Sequence, residues 1–448
     1  MIRKIVGALL YAGALLHAAG QAQASWELEV SPIILSRKKK LLLAAFFPIL
    51  LTIGFHFAFA ESIPSRIPIL GGSKAYMPAF VTPAIFYGSI FVGLVAGLIT
   101  GVIGAGGGYI LTPALMSFGV KGIMAVGTDQ FHLFAKAIMG TAIHKKLGNV
   151  NLRLAIWFVV GSFFGVTLGG MINRTVYQIS PALSDALISS VYVIVLGLLG
   201  IYSLADWLRL RKREVALRST KEATTDFARW LQALPLKPRV RFDEDIVPAG
   251  RSISVYPIIF CGFVVGLVAA IMGVGGGFLT FPMFVYGLGV STFTTVGTDI
   301  LQIIFTTFYS SIFQYAIYGF VFYTVAMGML LGSLVGVQIG AMVTKIVTGA
   351  AIRAFYALTI LAGFSNRVCA LIRKLADTGY ISLPPEITGP IETGGTIAFF
   401  LLIGIFGVWV LTVFLKNLGA IRSGGQSLPA LDKGYHSEQP AIAPEPWK

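Results

Sequence analysis

Asp129, His132 and Lys136 are spaced by three and seven residues within an apolar run, so on a helix they share one face. A carboxylate, an imidazole and an ammonium on one stripe can bind an anion or relay a proton. Inside a bilayer an ionisable side chain is expensive enough to make function the default reading. The plainer alternative is that Lys136 pairs with Asp129 or a neighbour. A second segment repeats only part of this stripe, with Asp299 followed by Gln302 and Thr306 at the same spacings. Both aspartates close the sequence Val-Gly-Thr-Asp. Thr128, Thr298, His132, Lys136 and Gln302 are therefore candidate anion contacts. Asp129 and Asp299 either couple to protons or cap helices that the pattern starts at about Thr128 and Thr298.

The stripe belongs to a longer duplication. Gly93 to Asp129 reads GLVAGLITGVIGAGGGYILTPALMSFGVKGIMAVGTD, and Gly262 to Asp299 reads GFVVGLVAAIMGVGGGFLTFPMFVYGLGVSTFTTVGTD. In each copy an apolar helical pattern runs into three glycines, Gly106, Gly107 and Gly108 or Gly275, Gly276 and Gly277, and restarts as a piece too short to cross a bilayer. A broken helix leaves amides and carbonyls without partners, which hydrocarbon tolerates only where backbone lines an enclosed or watery cavity. Matching breaks in two repeats, with half-helix N-termini aimed at an anion, are a common arrangement at the midplane of secondary transporters. Close helix packing is the competing use of membrane glycines, and Gly161, Gly165 and Gly169 have that spacing. Pro113 and Pro282 fall early in the short pieces, where a missing amide hydrogen matters least.

Composition sets the frame for these elements. Of 448 residues 56% are hydrophobic and 12% charged, with a formal charge of +15, which excludes an ordinary soluble protein and gives several runs of membrane-spanning length. The basic residues sit in short connections between apolar runs, where the positive-inside rule places them, so nucleic acid is not an expected partner. Cys261 and Cys369 form no ligand-spaced cluster, and nucleotide, nucleophile-elbow and metal motifs are absent from the sequence. No metal, no cofactor and no enzymatic activity are expected. Cys261, near the second break, could react with a sulfur anion; an inert apolar cysteine is the plainer reading.

The chain divides into five parts. Residues 1–40 are signal-like at first, with Arg3, Lys4 and a possible cleavage site at Ala22 to Ala24, but end in the basic cluster Arg37 to Lys40. A first transmembrane half occupies residues 41–206, with spans expected at 41–60, 80–104, 128–144, 153–172 and 184–206 around a short apolar piece at 109–118. Residues 207–252 are a basic cytoplasmic loop, with eleven Arg or Lys against six Asp or Glu between Trp207 and Arg251. Its first part, Trp207 to Leu234, reads as an amphipathic surface helix, and Pro235 to Gly250 as irregular. A solvated connector and a regulatory or partner-binding loop both fit. A second transmembrane half follows at 253–416, with further spans at 321–344, 350–371 and 395–415 and a proline-bearing external connection from Thr378 to Gly395. The tail, 417–448, has a disordered composition.

The expected fold is an all-α polytopic membrane protein of two inverted repeats, with half-helices at the midplane. Charge supports the inversion: His144-Lys145-Lys146 follows the first Asp-bearing helix, and the matching Gln314 to Gly319 carries no charge. The expected topology puts the 207–251 loop and the C-terminus in the cytoplasm, although Arg367, Arg373 and Lys374 fall on the expected outer side.

The twin blocks GLVAGLITGVIGAGGGYILTP and GFVVGLVAAIMGVGGGFLTFP, the VGTD after each and the later HKKLGNVN resemble the TauE/SafE-type sulfite exporter family of membrane permeases, over roughly residues 80 to 416. The resemblance implies inner-membrane secondary transport of small anions, chiefly sulfite or organosulfonates such as sulfoacetate. A passive anion channel and a membrane-embedded sensor using the 207–251 loop are the alternatives. Expected partners are the anion and the lipid bilayer, with a homo-oligomer of the chain left open.

Overall fold

The computed structural model describes residues 69, 71, 82–103, 107–146, 150–213, 226–244, 250–344, 347 and 349–417. The N-terminal segment, the span expected at 41–60, Gly106 and the tail after Asn417 lie outside them, as do the side chains of the His144-Lys145-Lys146 loop. Among the described residues the chain is helical except for one small hairpin. In order it forms α1 (Pro83–Ile103), α2 (Gly108–Ser117), α3 (Gly122–Lys146), α4 (Leu152–Ile179), α5 (Pro181–Arg213), α6 (Asp226–Ala233), β1 (Arg239–Phe242) and β2 (Arg251–Ser254). The second half continues with α7 (Val255–Met272), α8 (Gly277–Pro282), α9 (Thr292–Tyr309), α10 (Tyr323–Thr344), α11 (Gly349–Asp377) and α12 (Pro385–Lys416). A π-helical turn, Met283–Leu288, extends α8, and another, Ser310–Tyr315, extends α9. Among the described residues eight helices are long and apolar enough to cross a membrane, which makes this a multi-pass membrane protein. The polar stripe keeps α3 out of that set although it has 25 residues.

Glycines decide how the halves meet. Gly93 and Gly97 of α1 rest on the backbone of Met329 and Ser333, and Gly332 and Gly336 of α10 rest on Ile90 and Leu94. Residue numbers rise together along this contact, so α1 and α10 run parallel. The same contact recurs between α4 and α7, where Gly161, Gly165 and Gly169 rest on Ile259, Phe263 and Leu267. Such small-residue faces let backbones approach to where a Cβ would collide with a carbonyl. The first helix of each half therefore lies along the fourth helix of the other. Equivalent helices run antiparallel. Gly127 of α3 meets Tyr315 at one end and Phe134 meets Phe308 further along; Gly197 of α5 meets Phe364 and Gly200 meets Leu361. The main apolar core, with Leu98, Ile99, Tyr109, Met124, Met329, Ile360 and Phe406, joins both halves.

Four expectations change. First, α3 begins at Gly122 rather than near Thr128, because Asp185 of α5 accepts the Gly122 amide at 2.7 Å and caps it from outside. Second, no new helix starts at Trp207: α5 runs through it to Arg213, and α6 occupies Asp226–Ala233, with residues 214–225 outside the described ones. Third, part of the supposedly irregular stretch is an antiparallel hairpin pairing Arg239 with Ser254 through Phe242 with Arg251. Its Val240, Phe242 and Ile253 pack in a second core with Leu154, Phe158, Val265 and Phe284 of the membrane domain. Fourth, the connection expected to be external is helical from Pro385, a residue suited to the first helical position.

Candidate functional site

Both breaks are built alike. Gly107 and Gly276 stand at the N-caps of α2 and α8 with φ of 65° and 86°, a left-handed backbone that glycine alone adopts freely. A Cβ at Gly107 would lie 2.5 Å from the Ala96 carbonyl oxygen, and one at Gly276 would lie 2.7 Å from Val265 Cγ1. The breaks converge on a common neighbour, Leu133 of α3. A Cβ at Gly108 would lie 3.2 Å from Leu133 Cδ1 and one at Gly275 would lie 3.3 Å from the same atom. Gly277 faces the other aspartate, its Cβ position lying 2.8 Å from Asp299 Oδ2.

In the α3 stripe Asp129 and His132 are buried and Lys136 half-buried, and α3 is tied to both breaks. Asp129 Oδ2 accepts from Thr112 of α2 at 3.1 Å. Its other oxygen faces His132 Nδ1 at 3.6 Å, and neither of those two atoms has a hydrogen-bond partner. His132 Nε2 and Ser333 Oγ of α10 are 3.0 Å apart. Lys136 Nζ donates to Thr100 at 2.6 Å, and Thr100 donates to the Ala96 carbonyl on which Gly107 rests. Beside Asp129, Gln130 reaches across to the second break and donates to Ala269 O at 2.8 Å and Val274 O at 3.1 Å.

The second half is built differently. Gln302 donates to Asp299 Oδ1 at 2.8 Å, Thr306 donates to Gln302 Oε1 at 3.0 Å, and Thr280 donates to the Gly276 carbonyl at 3.1 Å. The titratable stripe thus belongs to the first half alone, as the sequence indicates.

Thr128 and Thr298 also join the two halves. Thr128 Oγ1 accepts the Phe322 amide and Thr298 Oγ1 accepts the Asn151 amide, each at 3.0 Å, so each hydroxyl oxygen holds the chain just before a helix of the opposite half. Asp129 and Asp299 lie well inside α3 and α9, not at their starts, and the capping alternative falls. Cys261 is a free cysteine partly buried in α7, and among the described residues no cluster of His, Cys, Asp and Glu could hold a metal.

Several contributors escape sequence reasoning. The terminal carbonyls of α7, orphaned by the break, are taken up by Gln130, by Asn173 on Ala270 and Ile271, by Tyr315 on Ala270 and by Tyr192 on Met272. Buried Arg367 of α11 donates to Pro113 O and Ser117 Oγ at the end of α2, where a cation suits the negative end of the helix dipole. That gives a structural use to a charge on the expected outer side. The tip after the second half-helix is held by the loop: Asp243 accepts from the Ser291 amide and from the Ser291 and Thr294 hydroxyls, Arg251 donates to Gly289 O and Gln232 to Leu288 O. Sequence signals for these were thin: a lone Gln next to the motif, and charges with no local partner.

Comparison with known proteins fits this architecture. The family description Sulfite exporter TauE/SafE matches residues 89–366, which takes in both breaks and both aspartates. The chain belongs to the TauE/SafE sulfite exporter family. This family member is 27% identical to the Probable membrane transporter protein YjnA of Bacillus subtilis (strain 168) over 247 residues, 54% of this chain and 84% of that protein. A probable membrane transporter protein of Methanocaldococcus jannaschii is 25% identical over 43% of this chain and 59% of its own. Sulfite exporter TauE/SafE family protein 6 of Arabidopsis thaliana is 38% identical over 74 residues, 16% of this chain and 17% of its own. Among solved structures none matches significantly. Family and relatives make the protein a membrane transporter or permease of the TauE/SafE type.

Proposed function

We propose that this transporter moves a small anion, sulfite or an organosulfonate, across the inner membrane and couples the movement to protons. The carrying observation is the convergence of two left-handed glycine breaks on Leu133, which is next to His132 and one turn of α3 from Asp129, a pair whose facing atoms are buried and have no hydrogen-bond partner. Glycine-broken helices meeting inside a membrane domain provide amides for an anion, and Lys136, fixed by Thr100, supplies positive charge at the first break. Asp129 Oδ1 and His132 Nδ1 face each other at 3.6 Å, so either can take up a proton beside the other. Gain or loss of that proton changes the charge beside α2, which couples it to an anion there.

The antiparallel running of α3 against α9 and of α5 against α11 supports reading the halves as inverted repeats about an axis in the membrane plane. In that frame the 207–251 loop and the C-terminus are cytoplasmic, by the positive-inside rule.

The test is uptake of labelled sulfite into proteoliposomes with and without an imposed proton gradient, beside Asp129→Asn. Gradient-driven flux that the variant loses is the expected result. Gradient-independent flux identifies a passive channel, and no flux from folded protein rejects sulfite and turns the screen to competing organosulfonates. Gly107→Val and Gly276→Val should each abolish flux while the protein still reaches the membrane; unchanged flux would remove the central site.

A further inference from the structure

Helix α6, within the loop between the halves, has two unlike faces. One is docked: Ala228 is fully buried, Leu231 packs on the core that holds Val240 and Phe242, and Gln232 Nε2 donates to Leu288 O at 2.7 Å. The other carries Phe227 and Trp230, 58% and 59% exposed, with rings stacked at 6.0 Å. Two large aromatics side by side on an outer surface are a partner patch rather than scatter.

The surroundings say what covers them. Leu288 ends the π-helical turn that also carries Tyr286, and Tyr286 is paired at 6.0 Å with Tyr202 of α5. Both tyrosines are about half exposed, on helices that lie in or against the membrane, and Tyr256 in the first turn of α7 is exposed as well. Tyrosines at helix ends of this kind form the aromatic belt at a bilayer surface. The Gln232 bond therefore holds α6 at the level of that belt. Lys237 and Arg241 are exposed on the same folded module, as is Arg229, which pairs with Asp226 at 2.7 Å, and such cations favour anionic headgroups.

We propose that the Phe227/Trp230 face of α6 is a membrane anchor, seated in the boundary between headgroups and acyl chains of an anionic leaflet. Through Gln232 the anchor ties the tip of the second broken hairpin to the lipid surface.

The full chain, in a Cys261→Ser/Cys369→Ser background, is spin-labelled at Phe227→Cys, at Trp230→Cys or, as an aqueous reference, at Glu244→Cys, and reconstituted into nanodiscs of phosphatidylcholine with or without phosphatidylglycerol. Relaxation by oxygen is compared with relaxation by a water-soluble nickel chelate. The expected result is that oxygen dominates at 227 and 230, more so with phosphatidylglycerol, while the chelate dominates at 244. Two results overturn the proposal: chelate access at 227 and 230 equal to that at 244, or dipolar broadening between labels, which would mean that a second copy covers the face. Both label sites are exposed, so neither substitution disturbs packing, and agreement of the two positions guards against a local artefact.

Discussion

Asp243 offers the sharpest test of how the second break is supported. Its carboxylate is buried and accepts three hydrogen bonds, from Ser291 N at 2.9 Å, Ser291 Oγ at 2.7 Å and Thr294 Oγ1 at 2.6 Å, with Arg251 Nη1 at 3.7 Å. A hydrogen bond to a charged partner contributes about 1.5–3 kcal/mol. Three that share one carboxylate are not additive, so Asp243→Ala should weaken the tip by roughly 3–4 kcal/mol. At about 1.4 kcal/mol per tenfold, that is opening more frequent by a few hundredfold. Asp243→Asn keeps an acceptor oxygen and loses the charge, for an expected loss of about 1 kcal/mol, or several-fold. Hydrogen–deuterium exchange of residues 284–296 in nanodiscs reads this directly. Residues 118–125, the tip held by Asp185 and Arg367, are the internal reference and should not change. Unchanged exchange at 284–296 in Asp243→Ala, or an equal rise at both tips, would refute the reasoning.

Other expectations follow from the same contacts. Gly161→Ala and Gly332→Ala place a methyl against the Ile259 and Ile90 carbonyls, and each should cost about 1–3 kcal/mol by overpacking; Gly287→Ala, with open space around it, should leave the melting temperature in detergent unchanged. Arg367→Met strips the end of α2 of its buried donors and should lower that melting temperature by several degrees, at about 1–3 kcal/mol per acceptor left unpaired. Arg373→Met removes a part-exposed pair with Glu392 and should cost at most about 1 kcal/mol. His132→Asn should remove most gradient-driven flux while folded protein in the membrane stays constant, and Ser333→Ala, which removes only the far partner of the imidazole, should have the smaller effect.

How far this molecule can be read from its chain depends on whether an interaction is local. The breaks were readable because the triple glycines and the prolines five residues on recur in two apolar runs, and α1, α2 and α10 stand within three residues of where the hydropathy pattern puts them, while α4, α5, α11 and α12 run six to ten residues beyond it at one end. The face shared by Asp129, His132 and Lys136 follows from helical spacing and is present. The start of α3 was not readable, since its cap is the carboxylate of Asp185, on a helix two elements later. Nor was the structure of the loop, whose hairpin is stabilised by apolar contact with α4 and α7 rather than by its own turn signals. Thr128 and Thr298 show the same limit: their recurrence was visible, but their partners, the amides of Phe322 and Asn151, exist only once the halves are together.

The pairing of α1 with α10 and of α4 with α7 has a consequence for biogenesis. Among the described residues the glycine face of α1 packs on α10, so during synthesis that face lacks this partner until Tyr323–Thr344 has been made. Neither half closes its own packing, so each is an incomplete folding unit. Cutting the chain between Arg213 and Asp226 should yield two fragments that are degraded when made singly and accumulate when made together, in the manner of two subunits of an obligate dimer.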